Sequence, residues 1–292
     1  MTGGSVTITV SDGRQIEAWS SDGSSSTGLL FHFGTPCAGV PWAPLVKEAE
    51  SRGWRFVTYS RPGYAGSTRR AGRSVADCAE DVAALASRLE LDRLHVVGWS
   101  GGGPHALACA ALLPGLVASA TTLAGVAPWG ADGLDWLDGM AGENRDEFAA
   151  ALAGEEALER FLVPFASKLA AVTPETVAGT LGALVTDVDK AAITGAFAEY
   201  QATLFRAAVS SGIWGWLDDD LAFTRPWGFA LDDIAVPVTV WQGRQDAMVP
   251  YAHGEWLAAH VRGAKAILLE GDGHLTLVAR FGDVVERLVD GV

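Results

Sequence analysis

In the run "LHVVGWSGGGPHALACAALLP" (Leu94–Pro114), one serine stands among glycines where four apolar residues end and a helix-forming stretch begins. Gly98, Ser100 and Gly102 follow the spacing G-x-S-x-G. A sharp strand-to-helix turn strains its central residue and brings neighbouring chain too close for side chains. Glycine two positions before and after relieves that crowding. The spacing therefore reads Ser100 as a nucleophile presented at the rim of a sheet, in preference to a serine that only caps the next helix.

A hydroxyl is a poor nucleophile at neutral pH and needs a base within hydrogen-bond reach. Of the six histidines, His95 lies inside a strand and His105 on the helix after the turn, where both read as structural. His253 and His260 fall on a helix near 251–261 and read as surface residues, seven apart and so unsuited to an i, i+4 metal pair. His274 differs, because "LLEGDGH" puts it on a glycine-rich loop at the end of a strand. Its orienting carboxylate is expected to be Asp246, in "WQGRQDAMVP" beyond the preceding strand; Asp272, two residues from His274, is the alternative. A tetrahedral intermediate also needs oxyanion donors. The N–H of Gly101 is one, and the N–H of Thr35, in "FHFGTPCAG" with Phe33 and Gly34, is the expected second.

These residues must be carried by a sheet. Strand patterns fall at Val6–Val10, Gln15–Trp19, Gly28–Phe33, Arg55–Tyr59, Leu94–Gly98, Val117–Leu123, Val236–Gly243 and Lys265–Gly271. Helical patterns alternate with most of them, including an amphipathic one with Val75, Val82, Leu85 and Leu89 on one face. Such alternation predicts an α/β fold with a mostly parallel sheet covered on both faces, the leading hairpin forming an antiparallel edge. From about Pro128 to Arg225 the pattern is helical and rich in Ala, Leu and Glu. It reads as a cap inserted at 128–225 over the carboxyl ends of the strands, with a core of 1–127 and 226–292.

The 292 residues, nearly half hydrophobic, can bury a large core. A net charge of −14 opposes binding to phosphate backbones, and the short Arg69, Arg70, Arg73 cluster is the one basic patch, so no nucleic acid is expected. Three cysteines without C-x-x-C spacing argue against disulfides and zinc. No apolar run approaches the roughly 18 residues of a membrane span, and no signal peptide opens the chain, so a cytoplasmic setting without membrane contact is expected. No metal or cofactor is implied, the partner is a small-molecule substrate, and the oligomeric state is open.

Together these residues resemble the α/β-hydrolase superfamily. The order Ser100, Asp246, His274 matches its nucleophile, acid and base. "HFGTP" resembles its oxyanion loop, "SRPGYAGS" its D-x-P-G-x-G-x-S turn, and "GRQD" and "GDGH" its acid and base loops. The likeness runs from about Gly28 to the C-terminus and implies an α/β-hydrolase sheet with an inserted helical cap. Two positions depart from it. Phe33 stands where many members carry histidine, and Ser60 replaces an aspartate that serves as a structural hydrogen-bonding group.

A serine nucleophile sets the chain apart from the family's aspartate-dependent dehalogenases and epoxide hydrolases. Esterases, lactonases, aminopeptidases, C–C bond hydrolases and cofactor-free perhydrolases all remain open. Trp99, Trp129, Trp136, Trp214 and Trp216, with Phe33 and Gly34, are expected to line an apolar pocket suited to a small hydrophobic ester. Glu143, Glu147, Glu155, Glu156 and Glu159 in the cap keep open an aminopeptidase resembling the proline iminopeptidases, in which cap carboxylates hold a free amino group. A non-catalytic hydrolase-fold protein that binds a small molecule is the reading from another class.

Overall fold

A computed structural model describes residues 2–289 of the chain. Eight strands form one sheet: β1 (Gly3–Thr9), β2 (Gln15–Ser21), β3 (Thr27–His32), β4 (Arg55–Tyr59), β5 (Arg93–Trp99), β6 (Val117–Leu123), β7 (Val238–Gly243) and β8 (Lys265–Leu269). Their order across the sheet is β1-β2-β4-β3-β5-β6-β7-β8. β2 runs antiparallel to both neighbours, and every pair from β4 to β8 is parallel. The β1–β2 hairpin closes through Ser11-Asp12-Gly13, where Gly13 supplies the φ of 86° that the turn demands.

Strand side chains alternate between two cores. Leu29 and Phe31 point to one face, where α1 (Ala43–Ser51) contributes Leu45 and Val46, and α12 (Phe281–Val289) contributes Phe281 and Val284. Leu30 and Val57 point to the other, against α2 (Cys78–Arg88), α3 (Gly102–Leu112) and α10 (Tyr251–His260). Each fully buried Leu or Phe is worth about 1.5–3 kcal/mol relative to exposure, so the two faces together hold the sheet. α3 is buried on all sides from Gly102 to Ala111, and its small Ala106, Ala108 and Ala110 let it lie close on β5 and β6.

Between β6 and β7 lie six α-helices: α4 (Gly142–Ala153), α5 (Glu155–Ala170), α6 (Val177–Leu181), α7 (Asp187–Ala192), α8 (Gly195–Ala208) and α9 (Trp214–Phe223). Among the described residues no strand interrupts them. α9 is not a surface helix. Residues 215–223 are all buried, including three consecutive aspartates. After β8 come α11 (Thr276–Ala279) and α12. None of the described helices is long and apolar enough to cross a membrane.

Candidate active site

β5 delivers Ser100 to a turn with φ of 55°, a left-handed conformation that a non-glycine residue adopts only where the surroundings force it. The cause is visible on both sides. A methyl at Gly98 would run into the backbone of Gly102, and one at Gly102 into the His32 carbonyl. Ser100 N–H donates to Leu123 O at 2.8 Å, and its own carbonyl accepts Gly103 N–H at 2.8 Å, which locks the turn between β6 and α3.

Since β5 to β8 are parallel, their carboxyl ends share one edge. Asp246 follows β7, and His274 follows β8. Asp246 Oδ2 lies 2.8 Å from His274 Nδ1, with both residues buried. The carboxylate is itself fixed. Oδ1 accepts the N–H groups of Met248 (2.8 Å) and Val249 (2.9 Å), and Oδ2 accepts Gln242 Nε2 at 3.1 Å. Asp272 turns away and binds Arg280 at 3.1 Å. Burial opposes the charged form of His274, but the Asp246 carboxylate overcomes it, and the imidazole is raised above its ordinary 6.5. Ser100 and His274 line one cavity of about 330 Å³. No hydrogen bond joins them among the described residues; without substrate such contacts are commonly long and tighten on binding.

Gly101 and Thr35 line the same cavity, and neither N–H has an acceptor among the described residues. Gly34 lies flush on Ser100, since a methyl there would come within 3.1 Å of Ser100 Cβ. This loop is held by a residue that sequence reasoning left out. Arg61, within the "SRPGYAGS" turn, donates to the carbonyls of Phe33 and Gly34 (2.8 Å for Gly34) and to Thr35 Oγ1 at 3.1 Å. Its charge is met by Asp219 of α9 at 2.6 Å, which also binds Arg73 at 2.6 Å, Tyr64 Oη at 2.8 Å and Thr35 Oγ1 at 2.7 Å. Burial alone would push the Asp219 carboxyl up; Arg61 and Arg73 hold it far below the usual range. Aspartates inside "WGWLDDDLAF" were the available signal, because charges amid large apolar residues must be buried and paired. The arginine cluster is consumed the same way: Arg69 pairs with Asp218, Arg70 with Glu80 and Asp77, and Arg73 with Asp219. Ser60 keeps a structural bond despite replacing aspartate, its Oγ accepting Gly39 N–H at 3.0 Å.

The cavity wall differs from the expected indole lining. Gly34, Trp99 and Trp216 line it, whereas Phe33, Trp129, Trp136 and Trp214 do not. Phe33 packs on Phe31 beneath the loop, with ring centres 4.6 Å apart. Trp136 packs between Phe148 and His253 with its N–H on Ala127 O, Trp129 leans on Trp136, and Trp214 lies under the Arg69 guanidinium. His253 is likewise no surface residue. It is fully buried, its Nδ1 accepts Ala127 N–H, its Nε2 faces Trp136 O, and burial pulls its pKa down to about 4.

Part of the wall is acidic: Glu143, Glu147 and Asp220. Trp216 Nε1 donates to Glu147 Oε1 at 2.6 Å. Glu147 keeps some surface on the cavity although protein surrounds it. Burial pushes the Glu147 carboxyl up, and Asp220, hydrogen-bonded to it, is raised well above the usual range by burial and by Glu147's charge. Among the described residues no group of three or more His, Cys, Asp or Glu is placed to hold a metal ion.

The sequence model of the alpha/beta hydrolase fold family matches residues 29–280. A non-heme chloroperoxidase of Streptomyces lividans is 34% identical over 155 residues, 52% of this chain, and the chain spans about half (55%) of that relative. A pimeloyl-[acyl-carrier protein] methyl ester esterase of Aromatoleum aromaticum is 28% identical over 86% of this chain and 92% of its own. Among solved structures, the enol-lactonase of Burkholderia xenovorans superposes with a TM-score of 0.69 at 18% identity, covering 98% of this chain and 99% of that one. A family match over most of the chain and a parallel sheet that ends at Ser100, Asp246 and His274 lead to one conclusion: this chain belongs to the α/β-hydrolase fold family.

Proposed function

We propose that the protein is a serine hydrolase that cleaves a small carboxylic ester through an acyl-enzyme, with Ser100, His274 and Asp246 as nucleophile, base and orienting acid. Ser100 Oγ attacks the ester carbonyl while His274 Nε2 takes its proton. Asp246 holds the tautomer with its proton on Nδ1 and stabilises the imidazolium. The N–H groups of Gly101 and Thr35 receive the oxyanion. The imidazolium returns its proton to the departing alcohol, and water then attacks the acyl-Ser100 ester with His274 again as base. The helices of 128–225 act as the cap that closes the acyl pocket. The observation carrying this reading is the left-handed Ser100 on a cavity that it shares with the 2.8 Å Asp246–His274 pair. The methyl ester esterase among the relatives supports an ester over other bonds.

The test is a fluorophosphonate probe and a panel of p-nitrophenyl esters. Wild type is expected to be labelled and to turn over short acyl esters, and Ser100→Ala to do neither. Undiminished labelling of Ser100→Ala would sink the assignment.

The acidic wall favours a second reading, in which a substrate amine binds Glu147 and Asp220 and the enzyme is an aminopeptidase. Hydrolysis of prolyl anilides in preference to p-nitrophenyl esters, lost in Glu147→Gln, would establish it over the esterase.

A further inference from the structure

His274 is held at three points. Its Nδ1 faces Asp246, its carbonyl accepts Trp99 Nε1 at 3.3 Å, and its N–H donates to Asp189 Oδ2 at 2.9 Å. That leaves Nε2 as its one polar atom without a partner among the described residues, on a residue that lines the Ser100 cavity. The third anchor is the unexpected one. Asp189 lies on α7, 85 residues before His274, and is completely buried. Its Oδ1 also accepts the N–H groups of Leu275 (2.8 Å) and Thr276 (3.1 Å). No Lys, Arg or His pairs with it among the described residues, so the carboxylate is compensated by the backbone of the base loop alone. Such charge-assisted bonds are short and directional, and a buried carboxylate tolerates little departure from them. The loop fits the carboxylate closely. A methyl at Gly273 would overlap the Asp189 side chain, and this crowding explains glycine before the histidine.

The segment bearing Asp189 is also cavity wall. Leu181, Gly182 and Leu184, just ahead of α7, line the pocket. One stretch of chain thus contacts the substrate space and carries the anchor of the base.

We propose that Asp189 is a positioning residue for catalysis: from the helical block it fixes residues 273–276 so that His274 Nε2 faces Ser100. This rests on the reading of Ser100 and His274 as nucleophile and base. Asp189→Asn keeps the shape but sets an amide NH₂ or a repositioned oxygen against three donors, so the loop must shift. A displacement of about 1 Å can cost 10²-fold, so kcat is expected to fall about that much, with KM within about twofold because the pocket walls remain. The Asp246 carboxylate lies on the imidazole and Asp189 on the backbone N–H groups of its loop, and both favour the charged form of His274. Losing one moves the acid limb of the kcat/KM profile to lower pH, a change that a merely structural role would not produce.

The experiment measures kcat, KM and the pH profile on one activated ester for Asp189→Asn, Asp189→Ala, Gly273→Ala and the pair Asp189→Ala with Gly273→Ala. Asp187→Asn, exposed on the same helix, is the control. Gly273→Ala should lower kcat by crowding the same carboxylate, and the double variant should be no worse than Asp189→Ala, because the methyl then has room. Wild-type kcat and acid limb in folded Asp189→Asn, or additive losses in the double variant, would overturn the proposal. If Ser100→Ala kept full activity, the nucleophile reading would fall, and with it this one. A dead Ser100→Ala beside a fully active Asp189→Asn removes only the role of Asp189.

Discussion

Arg61 and Asp219, 158 residues apart in the chain, form an ion pair in which both side chains are almost wholly excluded from solvent, with Nη2 2.6 Å from Oδ2. The pair joins the sheet's fourth-strand turn to α9. Through Arg61 it grips the carbonyls of Phe33 and Gly34, so the loop bearing Thr35 rests on a charge supplied by the helical block.

Removing Asp219 leaves Arg61 and Arg73 buried without their counter-ion. Breaking a buried pair from one side costs about 3–5 kcal/mol, so Asp219→Asn should lower the urea midpoint by that equivalent at pH 7. The sign with pH follows from the depressed carboxyl. Its contribution is present above the unfolded value of about 3.9 and is lost as pH falls through the far lower folded value. The gap between wild type and Asp219→Asn should therefore hold at pH 7 and narrow only in strong acid. Equal midpoints at pH 7 would show the pair to be dispensable.

Asp246→Asn supplies an amide that can favour the wrong imidazole tautomer. In a serine protease the equivalent change costs about 10⁴ in kcat, and a loss of several orders of magnitude is expected here. Asp272→Asn breaks only a partly exposed contact with Arg280 and should cost about tenfold or less. The measurement is kcat/KM on one activated ester, with folding checked by circular dichroism. Collapse in Asp272→Asn beside near-normal Asp246→Asn would reverse the roles.

As the proposed base, His274 must be neutral to take a proton, and Asp246 raises its pKa. Activity should thus fall with decreasing pH around a midpoint above 6.5. His32, His95, His105 and His253 are shifted the other way by burial, so they stay neutral across this range and do not blur the limb. A kcat/KM midpoint well below 6.5 in the wild type would contradict the raised imidazole.

Trp136 and Trp216 separate packing from recognition. Trp136→Ala empties a packed site behind the cavity wall, where the indole backs Phe148, and should cost about 3–5 kcal/mol of stability while the ranking of esters stays the same. Trp216→Ala removes a cavity wall and frees the Glu147 carboxylate, so the ranking itself should change. Unfolding midpoints and a panel of acyl chain lengths distinguish the two; an altered ranking in Trp136→Ala would place that indole nearer the substrate than its packing does.

The local features were legible in the chain itself. Strand alternation, the glycines around Ser100 and the loops after the last two strands follow from backbone sterics and hydrophobic period, which act within a few residues. They located β4 and β6 to the residue, and the sheet's parallel character with them. What touches what across long separations was decided by the tertiary structure. Nothing near Asp189 in sequence marks it as the partner of residues 274–276, and nothing near Asp219 names Arg61. The indoles were misjudged for the same reason: Trp136 and Trp216 are equally apolar, and only the packing of α4, α9 and α10 sends one inward and the other to the cavity. Burial of charge is a global property. A carboxylate's partner is whichever donor the folded chain brings within 3 Å, and chain order does not carry that distance.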